Sequence, residues 1–198
     1  MKSLKELRNF DLNPHESAST LRYFIKQNID FNVFLPTKGI KLQRDFVWTL
    51  EQKRELIMSI LIGRHIPHMA IVNIIIDDEK KYTDLIGRHI PHMTKVSIII
   101  DDEKKNTDLY QIIDGKQRLS TMIDFYQNKF TIVIDDIEYY FNDLPDDYQK
   151  CISHYHFRYY LINEDYDKPM TDEQKIMWFK FLNFSGTPQD KEHIQKLI

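Results

Sequence analysis

Five consecutive residues near the middle of the chain could together bind a phosphate group. They lie between an apolar run typical of a buried strand and an amphipathic run typical of a helix, and they are Asp114, Gly115, Lys116, Gln117 and Arg118. A helix that begins there presents unpaired N–H groups and a partial positive charge, and both favour an anion. An arginine in the first turn can hold two phosphate oxygens with its planar guanidinium group. The pattern therefore predicts a compact phosphate-binding corner.

Each of these residue types suits a particular part of such a corner. Gly115 can take a backbone shape that other residues resist, and Lys116 adds a second cation. Asp114 could hold Mg²⁺, orient a water or accept a hydrogen bond from a ribose hydroxyl. Gln117 could position a water or contact a base edge. Spacing alone leaves a structural interpretation open, in which Asp114 caps the helix and Arg118 pairs with a nearby carboxylate.

Two further polar junctions lie elsewhere in the chain. In "KLQRDFVW", Gln43 and Arg44 precede two aromatic residues and a helix with a capping-box sequence. Those aromatic residues, Phe46 and Trp48, are of a kind found more often in a core than as stacking platforms. In "FLNFSGTP", Asn183 follows a predicted helix and precedes a Gly-Thr-Pro turn.

The composition is typical of a single intracellular domain. A chain of 198 residues usually forms one domain, and a formal net charge of −3 argues against a protein that coats nucleic acid electrostatically. No apolar run resembles a signal peptide or a membrane span, so we expect a cytoplasmic protein without a membrane partner. The single cysteine, Cys151, excludes an internal disulfide, and we expect its side chain to be packed in a helix.

The chain contains a tandem copy of one segment. Residues 61–84 and 85–108 are identical at 20 of 24 positions, which indicates a recent duplication within one domain instead of a solenoid. Each copy carries a β-branched run, "IVNIII" or "KVSIII", that predicts a strand. Because one copy satisfies both junctions, we expect the surplus strand to form an extra edge strand or a protruding hairpin. Exchange between two copies of the chain, giving a homo-oligomer, is the alternative.

The duplication also doubles an "IGRHIPH" segment. The resulting histidines, His65, His68, His89 and His92, invite a zinc site, but no cysteine or separate carboxylate motif completes one. A helix that stops at Gly63, followed by a proline-fixed entry to a strand, explains the segment better.

The remaining elements mix strands and helices irregularly, which predicts an α+β fold. "SASTLRYFIKQN" predicts a helix, "FNVFLP" a short strand, and the Thr49 capping box a helix over "LEQKRELIMSIL". "KFTIVIDDIEYYF" predicts a hairpin that turns at Asp135-Asp136, "LPDDYQKCISHYH" a helix and "FRYYLINED" a strand. A second capping box at Thr171 opens the helix "DEQKIMWFKFLNF", and "DKEHIQKLI" predicts a last short helix. We divide the single predicted domain into residues 1–39, 40–135 and 136–198.

Four segments, "QRDFVW", "HIPHMAIV", "IIDGKQRLSTM" and "FKFLNFSGTPQD", resemble in this order the ParB/sulfiredoxin-like "DGQQR" domain family. Its best-known members are the GmrS-type N-terminal domains of GmrSD modification-dependent restriction enzymes. The resemblance runs from about Ile40 to the last residue. It implies a ParB-like small mixed sheet with surrounding helices and a C-terminal helical part. It also implies binding of a nucleoside triphosphate or DNA, with NTP hydrolysis or nuclease activity in phage defence.

The resemblance also assigns residues. The resemblance, together with the chemistry above, predicts three catalytic residues: Asp114, Gln117 and Arg118. Asp114 would also bind a Mg²⁺. The residues expected to bind the nucleotide or its phosphates are Gln43, Arg44, Gly115, Lys116 and Asn183.

Three features depart from the family pattern. Lys116 stands where the signature usually has glutamine, and the duplication immediately precedes the signature strand. The third feature is a nuclease module with a His-Asn-His-type metal site, which larger members carry in addition to this domain. We therefore expect a separate nuclease subunit as a partner. A non-catalytic nucleotide or DNA sensor, or a self-associating protein without activity, are the alternative functions.

Overall fold

The computed structural model describes most of the chain outside the second copy of the duplicated segment. The described residues are 12, 14–75, 108–165 and 169–184. At four of these positions only the backbone is described, namely Ile75, Asp165, Asn183 and Phe184.

Strands and helices alternate irregularly along the described chain. The strands are β1 (His15–Thr20), β2 (Asn28–Asp30), β3 (Phe34–Leu35), β4 (Ile40–Lys41), β5 (Met69–Ile75), β6 (Leu109–Asp114), β7 (Ile132–Ile134), β8 (Ile137–Tyr139) and β9 (His156–Asp165). The helices are α1 (Leu21–Phe24), α2 (Leu50–Leu61), α3 (Lys116–Tyr126), α4 (Asp146–Ser153) and α5 (Asp172–Phe184), with a 3-10 turn at Phe141–Asp143.

A five-stranded mixed sheet forms the centre of the fold. Its strand order is β1-β9-β5-β6-β2. β5 runs parallel to β9 and antiparallel to β6, and β2 adds in parallel to the other edge of β6. Two-stranded ribbons, β3-β4 and β7-β8, accompany this sheet. The α+β class predicted from the sequence is confirmed.

Apolar side chains cover both faces of the sheet. Because successive residues of a strand point to opposite faces, Ile71 and Ile112 join one cluster while Val72 and Ile113 join the other. Helices α1 to α4 pack on the first face, through residues such as Leu21, Phe24, Ile57, Leu119, Phe125 and Ile152. Helix α5 and the β3-β4 region pack on the second face, through Val33, Leu35, Leu42, Ile176, Trp178 and Phe179. Full burial of each such side chain contributes roughly 1.5–3 kcal/mol, so both layers stabilise the sheet.

Local sequence signals set several element ends as expected. The capping boxes at Thr49 and Thr171 are both formed, with the reciprocal bonds to Gln52 and Gln174. Helix α2 ends at Leu61, and Gly63 adopts a positive φ of 72° just beyond it. The β7-β8 hairpin turns through Asp135-Asp136, both with positive φ, as a tight two-residue hairpin requires.

Two local predictions are wrong. The helix expected over "SASTLRYFIKQN" is only four residues long, because Ser17 and its neighbours pair with β9 as strand β1. The local preference for a helix in that stretch is outweighed by pairing with the distant strand β9, which the local sequence does not indicate. Cys151 is exposed and not packed, since the buried residues at the end of α4 are Ile152 and Ser153.

Other predictions meet the limits of the described chain. The short helix expected over "DKEHIQKLI" lies outside the described residues, as do His89 and His92. Within the described chain, no helix is both long enough and apolar enough to span a bilayer.

The first copy of the duplicated segment supplies the central strand β5. The surplus strand expected from the second copy lies outside the described residues, so its placement at an edge, in a hairpin or in a second molecule stays a prediction. Two of the four positions at which the copies differ explain why the first copy suits the sheet. Ile71 is fully buried in the core, and the corresponding residue of the second copy is Lys95. Asn73 bonds Asn163 of β9 at 3.2 Å, and its counterpart is the shorter Ser97.

Two deletions of equal length test this assignment. Removal of residues 85–108 keeps the first copy, and removal of 61–84 keeps the second, so the two products differ at four positions only. We expect the first product to fold with near wild-type stability. The second should lose on the order of 3–5 kcal/mol, because it buries an unpaired lysine in place of Ile71.

Urea unfolding of both products, followed by circular dichroism, measures the difference. A Lys→Ile change at the position of Ile71 should restore most of the stability of the second product. Equal stability of the two deletion products would contradict the assignment of β5 to the first copy.

Candidate functional site

The junction between β6 and α3 is shaped by one glycine. Gly115 has φ of +99°, a conformation that other residues rarely adopt, and its carbonyl accepts the first helical hydrogen bond, from the Leu119 N–H, at 2.9 Å. A Cβ atom on Gly115 would lie 2.6 Å from Cγ of Met69, at the start of β5. The chain therefore turns sharply from strand to helix while packed tightly on the neighbouring strand.

The first turn of α3 is not capped by a side chain. Gly115 is the N-cap residue and provides no side-chain acceptor for the N–H groups of the helix. These groups, with the partial positive charge of the helix end, are available to a bound anion. The local backbone thus has the form that the sequence predicted for a phosphate-binding corner.

A cavity of about 160 Å³ lies at this junction. It brings together three chain segments: the stretch before α2, the β6-α3 junction and α5. Trp48 and Phe179 line the cavity. So do seven of the eight residues predicted to form the site: Gln43, Arg44, Asp114, Gly115, Lys116, Gln117 and Arg118. The eighth, Asn183, lies in the last turn of α5, and its side chain is outside the described part of the structure.

Asp114 and Arg118 are paired with each other. Nη2 of Arg118 donates to Oδ2 of Asp114 at 2.8 Å and to the backbone carbonyl of His68 at 3.2 Å. Both side chains are largely buried: Arg118 is 18% exposed and Asp114 is 25% exposed. The pairing of Arg118 with a carboxylate, which spacing alone left open, is therefore present, and both partners still line the cavity.

Lys116 is the most deeply buried cation of the site. Its side chain is 7% exposed, and Nζ donates to Oδ1 of Asn32 at 2.9 Å. Burial lowers the pKa of Lys116 from its ordinary value, and nearby Lys41 acts in the same direction. The negative charges of Asp45 and Asp30 oppose both effects.

Gln43 closes the end of the sheet beside the cavity. β2 pairs with β6 only as far as Gln111, so the next carbonyls of β6 lack a strand partner on that side. The Gln43 amide nitrogen donates to the carbonyls of Ile112, at 3.0 Å, and Ile113. These two acceptors fix the orientation of the amide group, because only its nitrogen can donate. Its oxygen is buried and has no hydrogen-bond partner among the described residues.

Gln117 attaches the segment before α2 to the start of α3. Its amide oxygen accepts from the Val47 N–H at 3.1 Å, and its nitrogen donates to the Asp45 carbonyl at 3.2 Å. This bond pair holds Arg44 at the rim of the cavity. Arg44 is exposed and makes no ion pair or hydrogen bond within the described chain. The catalytic role predicted for Gln117 stays a prediction, beside this structural one.

A buried polar network behind the cavity was missed by sequence reasoning. Asp30, Gln111 and Lys175 are each less than 5% exposed, and they are joined by hydrogen bonds of 3.2 and 2.9 Å. Burial raises the pKa of Asp30 above its ordinary value, and it does the same for the buried Glu164. These residues belong to different elements and are far apart in the chain. No motif or periodicity connects them, so no sequence signal could have found the network.

The described residues do not form a complete Mg²⁺ site by themselves. Within the described chain, no group of three or more histidine, cysteine, aspartate or glutamate residues is placed to hold a metal. Asp114 has one carboxylate oxygen bonded to Arg118. Mg²⁺ is commonly bound by one or two carboxylates together with substrate phosphates, and Asp114 could provide one such ligand.

Together the fold and the cavity define an α+β domain whose predicted site residues meet at one strand-to-helix corner. Comparison with known families gives a match over residues 21–197 to the family described as GmrSD restriction endonuclease, N-terminal domain. The chain belongs to this family, and membership indicates a role in the restriction of modified phage DNA. No curated protein and no solved structure matches the chain. The wider relation to ParB-like "DGQQR" domains stays an interpretation of the sequence.

Two glycine substitutions test how strictly the corner is constrained. Gly115→Ala should destabilise the protein by on the order of 2–5 kcal/mol, from the positive φ and from the contact with Met69. Gly39→Ala is the matched control, because Gly39 also has a positive φ of 68° but has open space where its Cβ would lie. We expect it to lose only about 1 kcal/mol.

Urea unfolding of both variants gives the comparison. If the two losses are equal, the contact between Gly115 and Met69 does not constrain the junction. A Met69→Ala change in the Gly115→Ala background provides a further check, since it removes the atoms that clash.

Proposed function

We propose that this domain binds the phosphates of a nucleoside triphosphate at the β6-α3 corner and hydrolyses it during restriction of modified phage DNA. The observation that carries the proposal is the convergence of seven predicted residues, from two distant chain segments, on one cavity at an uncapped helix start. A relation to ParB-like domains would agree with this function.

The size of the cavity indicates which part of a nucleotide it receives. A volume of about 160 Å³ is smaller than the roughly 300–1,000 Å³ of a site that encloses a whole organic ligand. It suits a phosphate group, with the remainder of the nucleotide extending past the rim. Arg44 and Trp48 also line the cavity, so a cation and an aromatic ring could contact the outer phosphates and the base.

The charges around the cavity suit phosphoryl transfer. Hydrolysis of a triphosphate depends mainly on positioning and on neutralising charge that develops on the phosphate oxygens. Lys116 and Arg44, which come from two distant chain segments, supply positive charge to the cavity, and the start of α3 supplies N–H donors. A bound Mg²⁺ would add charge neutralisation where Asp114 meets the phosphates.

Hydrolysis requires the pair of Asp114 and Arg118 to open. Arg118 holds Asp114 through one nitrogen only, and its buried Nε has no partner among the described residues. A single-nitrogen contact is weaker than a two-bond fork, so a phosphate can compete for the guanidinium group. Once released, the Asp114 carboxylate is free to accept a proton from an attacking water.

A second candidate function is nucleotide or DNA sensing without turnover. It is favoured by the same 2.8 Å pair, because two of the three predicted catalytic residues, Asp114 and Arg118, are already paired with each other. Lys116, at a position where the family signature usually has glutamine, favours tight binding over chemistry in the same way. In this version, DNA cleavage falls to a separate nuclease subunit.

A panel of the four common NTPs with Mg²⁺ separates these functions. We expect the fitting nucleotide, at about 100 times its Kd, to stabilise the fold by about 2.7 kcal/mol and raise Tm by several degrees. Phosphate release should accompany binding and should fall at least about 100-fold in Arg118→Gln, because a charge contact to the transferred group is lost. Thermal melting and a phosphate-release assay measure the two effects.

Arg158→Gln serves as the matched control. Arg158 also forms an arginine–carboxylate pair, with Glu16 at 3.3 Å, but it does not line the cavity. Its substitution should change neither effect. Stabilisation without phosphate release would favour the nucleotide sensor, and absence of any effect of the four nucleotides would contradict both NTP hydrolysis and nucleotide sensing.

A further inference from the structure

A chain of hydrogen bonds runs from α5 to the cavity; it is buried between α5 and Asp30 and part-buried at Asn32, which is exposed. Lys175 Nζ donates to Gln111 Oε1 at 2.9 Å, and Gln111 Nε2 donates to Asp30 Oδ2 at 3.2 Å. Asp30 Oδ1 accepts from the backbone N–H of Asn32 at 2.8 Å. The Asn32 side chain, through Oδ1, accepts from Lys116 Nζ at 2.9 Å. The last residue of this chain of bonds lines the cavity.

Asp30 is the junction on which this arrangement depends. One of its oxygens accepts from Gln111 in the core, and the other accepts from the Asn32 N–H and so fixes the turn over residues 30–32. An aspartate that bonds the N–H two residues ahead mimics a backbone turn and orients the residue that follows. Asp30 is 2% exposed and does not line the cavity, so a ligand there cannot touch it.

Lys116 needs such a holder because its side chain is long and flexible. A free lysine side chain loses roughly 2 kcal/mol of rotamer entropy when it is fixed, and that loss weakens ligand binding unless the side chain is fixed beforehand. The exposed carboxylate of Asp45 lies close enough to influence Lys116 and would compete for it. The bond to Asn32 keeps the ammonium group in the wall of the cavity.

We propose that Asp30 is a positioning residue for the phosphate site: through Asn32 it holds the Lys116 ammonium group where a bound triphosphate meets it. This inference rests on the proposed function, because it concerns the affinity of the same cavity. It assigns to Asp30 a geometric role, in which its oxygen fixes the turn at Asn32. The charge of Asp30 is secondary, and its contact with Lys116 is indirect.

The probe is inorganic triphosphate with Mg²⁺, measured by isothermal titration calorimetry on the full chain, because Lys116 would contact phosphate and not the base. Asp30→Ala and Asn32→Leu should each weaken binding about tenfold, as expected when a charged side chain loses its fixed position. Asp30→Asn should stay within about threefold of the wild type in affinity, because its amide oxygen can still accept from the Asn32 N–H. Its amide nitrogen would face the donor Nε2 of Gln111, so the variant should lose stability without losing the turn.

A double-mutant cycle separates positioning from general damage to the fold. In a Lys116→Gln background, Asp30→Ala should have no further effect on binding if it acts through Lys116. Asp172→Ala is the matched control: Asp172 is another buried carboxylate that accepts two hydrogen bonds, from the N–H and hydroxyl of Thr37, at 2.7 and 2.6 Å. Its loss should lower stability without changing affinity for triphosphate.

The outcomes distinguish this inference from the proposed function. Binding unchanged in Asp30→Ala, or weakened equally in the Lys116→Gln background, overturns the positioning role and leaves the phosphate site intact. A loss in Asp30→Asn as large as that in Asp30→Ala overturns the geometric assignment. If neither triphosphate nor any NTP binds the wild type, the proposed function falls and this inference falls with it.

Discussion

The fold of the site depends on the close approach of Gly115 to Met69. A backbone with positive φ and no side chain lets α3 start directly against the first residue of β5. That position points the uncapped end of α3 at the cavity and brings Asp114 and Arg118 together across one helical turn. Gln43 and Gln117 then join the segment before α2 to the same corner. The five predicted residues of the β6-α3 corner are placed by this one contact, and Gln43 and Arg44 are held beside them by these hydrogen bonds.

The sequence was most informative where chemistry and local structure coincide. A strand, a glycine and a helix with cations in its first turn are all visible in one short stretch, so the corner and its lining could be predicted. Capping boxes and the Asp135-Asp136 turn were visible for the same reason, since they depend on residues a few positions apart. The N-terminal strand β1 was not, because its pairing partner β9 lies about 140 residues further along the chain.

Polar contacts between residues far apart in the chain could not be predicted from the sequence. The pattern suggested that Gln43 binds a ligand, and the structure shows that its nitrogen is first committed to two strand carbonyls. Gln117 is committed to the loop backbone in a similar way. Asp30 and Lys175 carry no motif and nevertheless reach the site through Gln111. Residues that bind a ligand and residues that hold the site in place cannot be distinguished in the sequence, because both are polar and both lie near strand ends.

The placement of the first copy in β5 has a consequence for how this family can change length. β5 and β6 are neighbours, yet the connection between them spans residues 76–108 and would span 76–84 without the second copy. Even if all the added length were closed as a flexible loop, the entropic penalty grows only logarithmically and amounts to about 1 kcal/mol. The β5-β6 connection is therefore a point where evolution, or an engineer, can insert two dozen residues while the β6-α3 corner a few residues downstream keeps its register.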